Sequence, residues 1–330
     1  MAKTQRVLVT GGAGFIGRWV VKALLNDTAA RVAVIDDLSN GRLENIAEFR
    51  NEPRFELFQK GKIENPRAME PLFEKFKPTR ILHLAAQIIV QDSIDDPAAT
   101  FRSDVEGTFR LLEMCRARRA SLLFMSTCMV YDMAASSGSI GEAHPAVPRS
   151  PYAGAKLAAE NMCISYAHAY GMPVTVIRPF NTYGPHQKSS GEGGVVSIFL
   201  HRALRGQRLN VYGDGTQTRD LLYVEDCVDF ILRAADSGRA SGEIFNAGTG
   251  RDVSVNALAE MALAAVPGTA SKIKHVKHIH PQSEIMKLCC DARKARRILG
   301  WKPRTPLEKG LAKTCAWIAD NLEKGRTAWS

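Results

Sequence analysis

With 330 residues, 45% hydrophobic and 24% charged, the chain can bury a large core in one large or two moderate domains and has the make-up of an ordinary soluble globular protein. No apolar run approaches a bilayer span, no secretory apolar core precedes the first strand, and the cysteines at 115, 128, 163, 227, 289, 290 and 315 form neither a metal-ligand spacing nor a disulfide framework; a reducing, cytoplasmic setting without membrane or metal is expected. The formal charge of +10 is dispersed, and its clusters at 116–119, 272–280 and 293–297 lack the interleaved aromatics of a stacking platform, so a solvated basic face that attracts anionic nucleotides is expected rather than a nucleic-acid partner.

The N-terminal stretch Val7-Leu8-Val9-Thr10-Gly11-Gly12-Ala13-Gly14-Phe15-Ile16-Gly17 runs an apolar strand into glycines at three-residue spacing and then a helix start. Gly11, Gly14 and Gly17 allow a tight turn, let backbone approach a pyrophosphate, and bring the helix close to the sheet with its first amides toward the phosphates. A second apolar run, 31–35, ends at Asp36, whose carboxylate can bind both adenosine ribose hydroxyls and would repel a 2′-phosphate. The expected cofactor is NAD rather than NADP; the alternative is a glycine-rich structural turn with an acid nearby by chance.

Strands are predicted at 6–10, 31–35, 54–58, 80–84, 121–126 and 174–178, alternating with helical stretches at 15–26, 42–50, 67–76, 98–119 and 152–171. This is the pattern of βαβ units and a doubly wound parallel sheet, a Rossmann α/β fold. Ser150-Pro151 starts the helix at 152–171, and Gly171-Met172-Pro173 stops it. Tyr152 and Lys156 lie i, i+4 on one face of that helix. An ammonium and the positive ring of oxidised nicotinamide both favour phenolate, so Tyr152 could take a hydroxyl proton while hydride leaves the same carbon. An exposed helical pair is the plain alternative.

After Arg178-Pro179-Phe180-Asn181, glycine-rich connections at 184–194 and 213–220 separate shorter elements, the texture of a smaller C-terminal α/β domain. The cofactor domain is expected over 1–180 with a return segment at about 218–245, and the substrate domain over 181–217 and 246–330. Further helices are predicted at 225–236, 254–265, 291–299 and 307–323.

The ordered motifs carry a resemblance over nearly the whole chain. They are Thr10 to Gly17, Asp36-Asp37-Leu38-Ser39-Asn40-Gly41, His83-Leu84-Ala85-Ala86-Gln87, Ser126-Thr127-Cys128-Met129-Val130-Tyr131, Ser150 to Lys156, Arg178 to Pro185 and Arg219 to Asp226. The chain resembles an extended short-chain dehydrogenase/reductase of the nucleotide-sugar epimerase/dehydratase family. The resemblance implies cofactor contacts at Gly11, Gly14, Phe15, Ile16, Gly17, Asp36, Asp37, Asn40, Lys62, Ile63, Leu84, Ala85, Ala86, Gln87 and Pro179. It makes Tyr152 the base, gives Lys156 the nicotinamide ribose, and sets Ser126 or Thr127 against the reacting hydroxyl. Asn181 and Arg219 would bind the substrate diphosphate, with a salt bridge from Arg219 to Asp220 or Asp226 as the alternative. Val195, Val196, Ile198 and Phe199 would cover the nucleotide base or simply pack. His280 and Glu284 fall where the family often places further substrate contacts. The stretches 98–119 and 152–171 match the family's four-helix homodimer interface.

Departures from the pattern separate the subclasses. The resembled 4,6-dehydratases carry Asp-Glu after the threonine, and here Cys128 and Met129 stand there. A 4-epimerase needs only transient oxidation at C4, so a UDP-hexose 4-epimerase is the expected activity. An atypical 5,6- or 4,6-dehydratase using Cys128 as acid or base is one alternative, and a basic NAD-binding RNA- or protein-binding module with vestigial catalysis is another. Lys62 replaces an aspartate usual near adenine, Asp104 replaces the usual asparagine before Val105-Glu106-Gly107-Thr108, and His280 replaces an arginine.

Overall fold

A computed structural model describes residues 5–134, 138–190, 194–278, 281 and 284–325. Its centre is a seven-stranded, all-parallel sheet in the order Ile244–Ala247, Val174–Pro179, Ser121–Met125, Arg80–His83, Arg6–Thr10, Arg31–Asp36, Phe55–Lys60. Continuous apolar strands fit a sheet covered on both faces, and Val7, Leu8 and Val9 are fully buried. From Arg6–Thr10 the chain builds outward on one side and then crosses to Arg80–His83 on the other. The strand order therefore reverses where Thr10 lies beside His83, and ligands of such sheets bind beyond the strand ends at that point.

One face packs against helices Phe15–Asp27 and Val224–Asp236, the other against Pro66–Phe76, Gly107–Arg118 and Pro151–Tyr170. Local chemistry sets the helix ends. Asn65 and Ser150 cap two of them, each followed by proline at the first turn, and Gly171 stops the second with φ of 60°.

The predicted helix at 98–119 is in fact three pieces: Pro97–Phe101, a π-helical turn Arg102–Glu106, and Gly107–Arg118. One tertiary and one local bond hold the turn: Asp104 Oδ1 accepts the Gln87 N–H at 2.8 Å, and the Thr108 hydroxyl donates back to the Asp104 carbonyl one turn earlier at 2.6 Å. The stretch predicted at 42–50 is a 3-10 helix, Leu43–Phe49.

Beyond the large sheet, Asp252–Ser254, Thr218–Tyr223 and Lys287–Leu288 form one sheet, with Asn181–Tyr183 beside Thr218–Tyr223, and Leu209–Tyr212 pairs separately with Ile273–Val276. Helices Val195–Leu204, Val255–Ala264 and Leu307–Glu323 enclose the core on these strands. The chain rejoins the large sheet at Val224, where helix Val224–Asp236 begins beneath it. Trp301, past the short helix Arg293–Leu299, also reaches the large domain: its ring lies 5.0 Å from Phe230 and its N–H donates to the Asp226 carbonyl at 3.2 Å. The Asp226 carboxylate accepts the N–H groups of Arg304 and Thr305 at 3.0 and 2.9 Å.

Candidate active site

The glycine turn is packed too closely to admit side chains. Gly11 has φ of +71°, and a Cβ there would lie 2.8 Å from the Ala85 nitrogen; one on Gly17 would collide with the Gly11 carbonyl oxygen. Gly14 caps helix Phe15–Asp27 with no side-chain bond, and Arg18 is the residue whose N–H bonds back to Gly14, at 3.1 Å. The amides of Phe15, Ile16 and Gly17 thus form an open first turn suited to a pyrophosphate. Asp36 stands at the next strand end, with Oδ2 accepting the Ala13 N–H and Oδ1 the Leu38 N–H, both at 2.9 Å. Burial pushes its carboxyl above the usual range, while these amides favour the anion. Both oxygens keep further acceptor capacity for ribose hydroxyls.

The remaining expected cofactor residues differ in placement. Asp37 accepts from Ser39 in the adjoining turn, and Asn40 follows it, half-buried. Leu84 and Ala85 donate their N–H groups to the Thr10 hydroxyl at 3.2 Å, which fixes the start of the segment leading to Ala86 and Gln87. Pro179 is buried at its strand end. Ile63 packs in the core against Gly107, whereas Lys62 is mostly exposed and 3.8 Å from Glu64.

At the reacting centre, Ser126 and Thr127 follow strand Ser121–Met125, and Tyr152 and Lys156 face them from the first turns of helix Pro151–Tyr170. Burial raises the Tyr152 phenol, the Thr127 hydroxyl favours its phenolate, and Asp104 and Cys128 oppose it. Lys156 is 2% exposed with Nζ 4.2 Å from the Phe124 ring centre; burial lowers its pKa, and Asp104 and Glu160 oppose that loss of charge. His83 is held between Thr10 and Thr108 at 2.8 and 3.0 Å, and burial and the nearby Lys156 keep it neutral. Ser126 Oγ and Asn181 Oδ1 are buried with no hydrogen-bond partner among the described residues, as groups completed by a bound molecule would be.

Cys128 opens the 3-10 turn Cys128–Val130 and packs with Phe180, Ile285 and Cys290; Met129 is half-buried beside this cluster. Burial pushes the Cys128 thiol up to about 12, which favours its neutral form.

On the substrate side, Arg219 pairs neither with Asp220 nor with Asp226. Its guanidinium donates to Glu284 and to the carbonyls of Thr218 and Ile285, and Glu284 also meets His278. Asp220 is engaged instead by the amides of Thr249, Gly250 and Cys290. Val196 and Phe199 are buried in the small-domain core, with Val195 and Ile198 partly buried against it. His280 lies outside the described residues. Asp104, Glu160 and the neutral His83 belong to the polar surroundings of Lys156, yet sequence reasoning singled out Asp104 only as a departure. An acid at an asparagine position, one helix before a Tyr-Lys pair, is the signal that could have placed it.

A family model described as GDP-mannose 4,6 dehydratase matches residues 8–314. A UDP-glucose 4-epimerase of Mycolicibacterium smegmatis is 39% identical over 323 residues, covering 97% of this chain and 100% of the relative. The crystal structure of Pal from Bacillus thuringiensis superposes with a TM-score of 0.92 at 53% identity, covering 96% of this chain and 99% of that one. A Thermus thermophilus UDP-glucose 4-epimerase in complex with NAD does so with a TM-score of 0.88 at 32% identity, covering 95% and 99%.

Proposed function

Because the chain belongs to the NAD-dependent nucleotide-sugar epimerase/dehydratase family, we propose that it inverts C4 of a nucleotide-linked hexose, as a UDP-hexose 4-epimerase, through transient oxidation at that carbon. The observation that carries this reading is the grouping of Tyr152, Thr127 and Lys156 beside a neutral Cys128 thiol and Met129, where the resembled dehydratases have an Asp-Glu pair. Met129 cannot exchange a proton, and Cys128 is a buried thiol where the resembled dehydratases place a carboxylate pair. The glycine cradle and the anchored Asp36 suit NAD, which when bound accepts hydride from C4 and returns it to the opposite face.

Thr127 orients the C4 hydroxyl, Tyr152 takes its proton and later gives it back, and Lys156 favours the phenolate and holds the nicotinamide ribose. Asn181 and Arg219 would bind the diphosphate. A homodimer through the stretches 98–119 and 152–171 accords with the exposure of Phe101, Phe109 and Tyr170 at 51%, 44% and 56%. Light scattering on the purified protein tests that assembly.

The activity is tested by incubation with UDP-, dTDP-, GDP- and CDP-hexoses in deuterated water, followed by NMR and mass spectrometry. A C4 epimer of unchanged mass without carbon-bound deuterium supports the epimerase. Loss of water, or deuterium at C5 or C6, overturns it and makes Cys128 the residue to mutate next.

A further inference from the structure

Residues 195–213 and 261–283 contain no aspartate or glutamate, yet the first stretch carries Arg202, Arg205 and Arg208 and the second Lys272, Lys274 and Lys277. The fold brings the two together. Strand Leu209–Tyr212 pairs in parallel with Ile273–Val276, Lys274 opposite Asn210. The end of helix Val195–Leu204 closes on the same corner: the Ser271 hydroxyl donates to the Arg202 carbonyl at 3.2 Å, and the Thr269 hydroxyl to that of Ala203 at 2.6 Å. The Leu209 N–H donates to the Lys272 carbonyl at 3.0 Å. Arg202 is half-buried and the other five cations are exposed. None of the six has a carboxylate partner among the described residues, whereas in the large sheet's layer Arg116 pairs with Glu113 and Arg118 with Glu74.

This corner leads to Arg219. At the far end of the paired strands the Gly213 N–H donates to the Val276 carbonyl at 2.9 Å, and the His278 ring meets the Tyr212 ring edge-on with centres 6.1 Å apart. The Gln217 amide, two residues before Arg219, donates to the Tyr212 carbonyl at 2.9 Å. His278 in turn meets Glu284, which holds Arg219. From Lys272 to Lys277 the lysines therefore mark out about 17 Å of extended chain that ends beside the candidate diphosphate site. Cations grouped along one approach, with no counter-charge among them, raise the local concentration of anions and speed their encounter, and salt screens the effect.

We propose that this acid-free corner is an electrostatic landing surface for the nucleoside diphosphate: it guides the anionic ligand toward Arg219 and accelerates its association without holding it once bound. The proposal rests on Arg219 binding the diphosphate. The long range of the attraction separates it from a direct contact, because steering changes the rate of arrival and leaves the rate of departure alone.

The full-length protein with added NAD is mixed with N-methylanthraniloyl-UDP in stopped flow at about 10 mM and about 1 M salt, where the Debye length is about 30 and 3 Å. The wild type should associate about tenfold faster at low salt. A triple variant, Lys272→Gln, Lys274→Gln and Lys277→Gln, should associate about fivefold more slowly than the wild type at low salt and match it at high salt, with dissociation unchanged. The corresponding lysine-to-arginine triple variant should keep the wild-type rate. A control with Arg116→Gln, Arg118→Gln and Arg119→Gln removes equal charge where helix Gly107–Arg118 gives way to strand Ser121–Met125, at the end of the sheet opposite the cofactor turn. It should associate as the wild type does. Equal slowing in the control, which would make net charge alone responsible, overturns the proposal. So does a lysine-to-glutamine variant that associates like the wild type at low salt, or one altered only in dissociation. Failure of the wild type to bind the UDP probe removes the diphosphate site itself, and the proposal with it. No turnover is needed, so the outcome is independent of which reaction follows.

Discussion

Arg219 and Glu284 hold each other in the small domain: Nη2 of the guanidinium donates to Glu284 Oε1, while Nη1 is taken by the carbonyls of Thr218 and Ile285 at 2.8 Å each. A diphosphate bound by Arg219 has to compete with a carboxylate already in place. Glu284→Gln removes that anion with little change of shape, and we expect it to tighten UDP binding by roughly fivefold, while Arg219→Leu weakens it. Isothermal calorimetry with UDP decides the matter; equal affinity in wild type and Glu284→Gln would mean that Glu284 does not compete.

Tyr152→Phe should lower kcat by about a hundredfold to ten-thousandfold, the usual range for loss of a general acid–base group. Thr127→Ala should cost less, since it removes an orienting hydroxyl only. Melting curves should stay near the wild type, because neither hydroxyl is a main support of the core.

Burial pushes the Cys128 thiol up to about 12, and thiolate appears only as pH rises toward that value. Iodoacetamide at about pH 8 should therefore leave Cys128 unmodified in the folded protein and alkylate it after unfolding. Peptide mass spectrometry reads both states. Under the epimerase reading, Cys128→Ala should also retain most of the activity, and a collapse of kcat in a folded Cys128→Ala protein would overturn it.

Burial holds the Asp36 carboxyl above its ordinary range. The anion prevails above that value and the neutral acid below it, and the neutral acid offers a poorer acceptor to ribose hydroxyls. NAD affinity should thus fall on acidification, starting at a pH above the ordinary carboxyl value of about 4. Fluorescence titration across that range checks this, and Asp36→Asn should bind NAD weakly at every pH tested.

Glu160 and Arg178 form an ion pair whose side chains are 1% and 5% exposed. Removing one partner leaves a buried charge uncompensated, so Glu160→Ala should cost about 3–5 kcal/mol in urea unfolding. Glu160→Leu combined with Arg178→Met should recover much of that loss; additive losses would contradict it.

Six strands of the large sheet were legible because strands buried on both faces are apolar along their whole length; the seventh, Ile244–Ala247, four residues long with Asn246 inside it, was not predicted. The predicted 80–84 and 174–178 differ from Arg80–His83 and Val174–Pro179 only at the edges. Asn181–Tyr183 and Lys287–Leu288 are too short for any alternation to show. At the site, Tyr152 and Lys156 could be paired from sequence because one helix sets their spacing and Ser150 and Pro151 mark its start. The grip of Glu284 on Arg219 could not, since 65 residues separate the two and only the fold brings them together. The π-turn at Asp104 was hidden for the same reason: the amide that draws its carboxylate belongs to Gln87.

The Asp226 carboxylate collects the N–H groups of Arg304 and Thr305 just before the last helix, Leu307–Glu323, enters the small domain. That helix is tethered to helix Val224–Asp236 at its very entrance, beside the buried Trp301. Docking of that helix on the core it encloses therefore depends on a carboxylate presented by helix Val224–Asp236, one polar clamp shared by two packed layers.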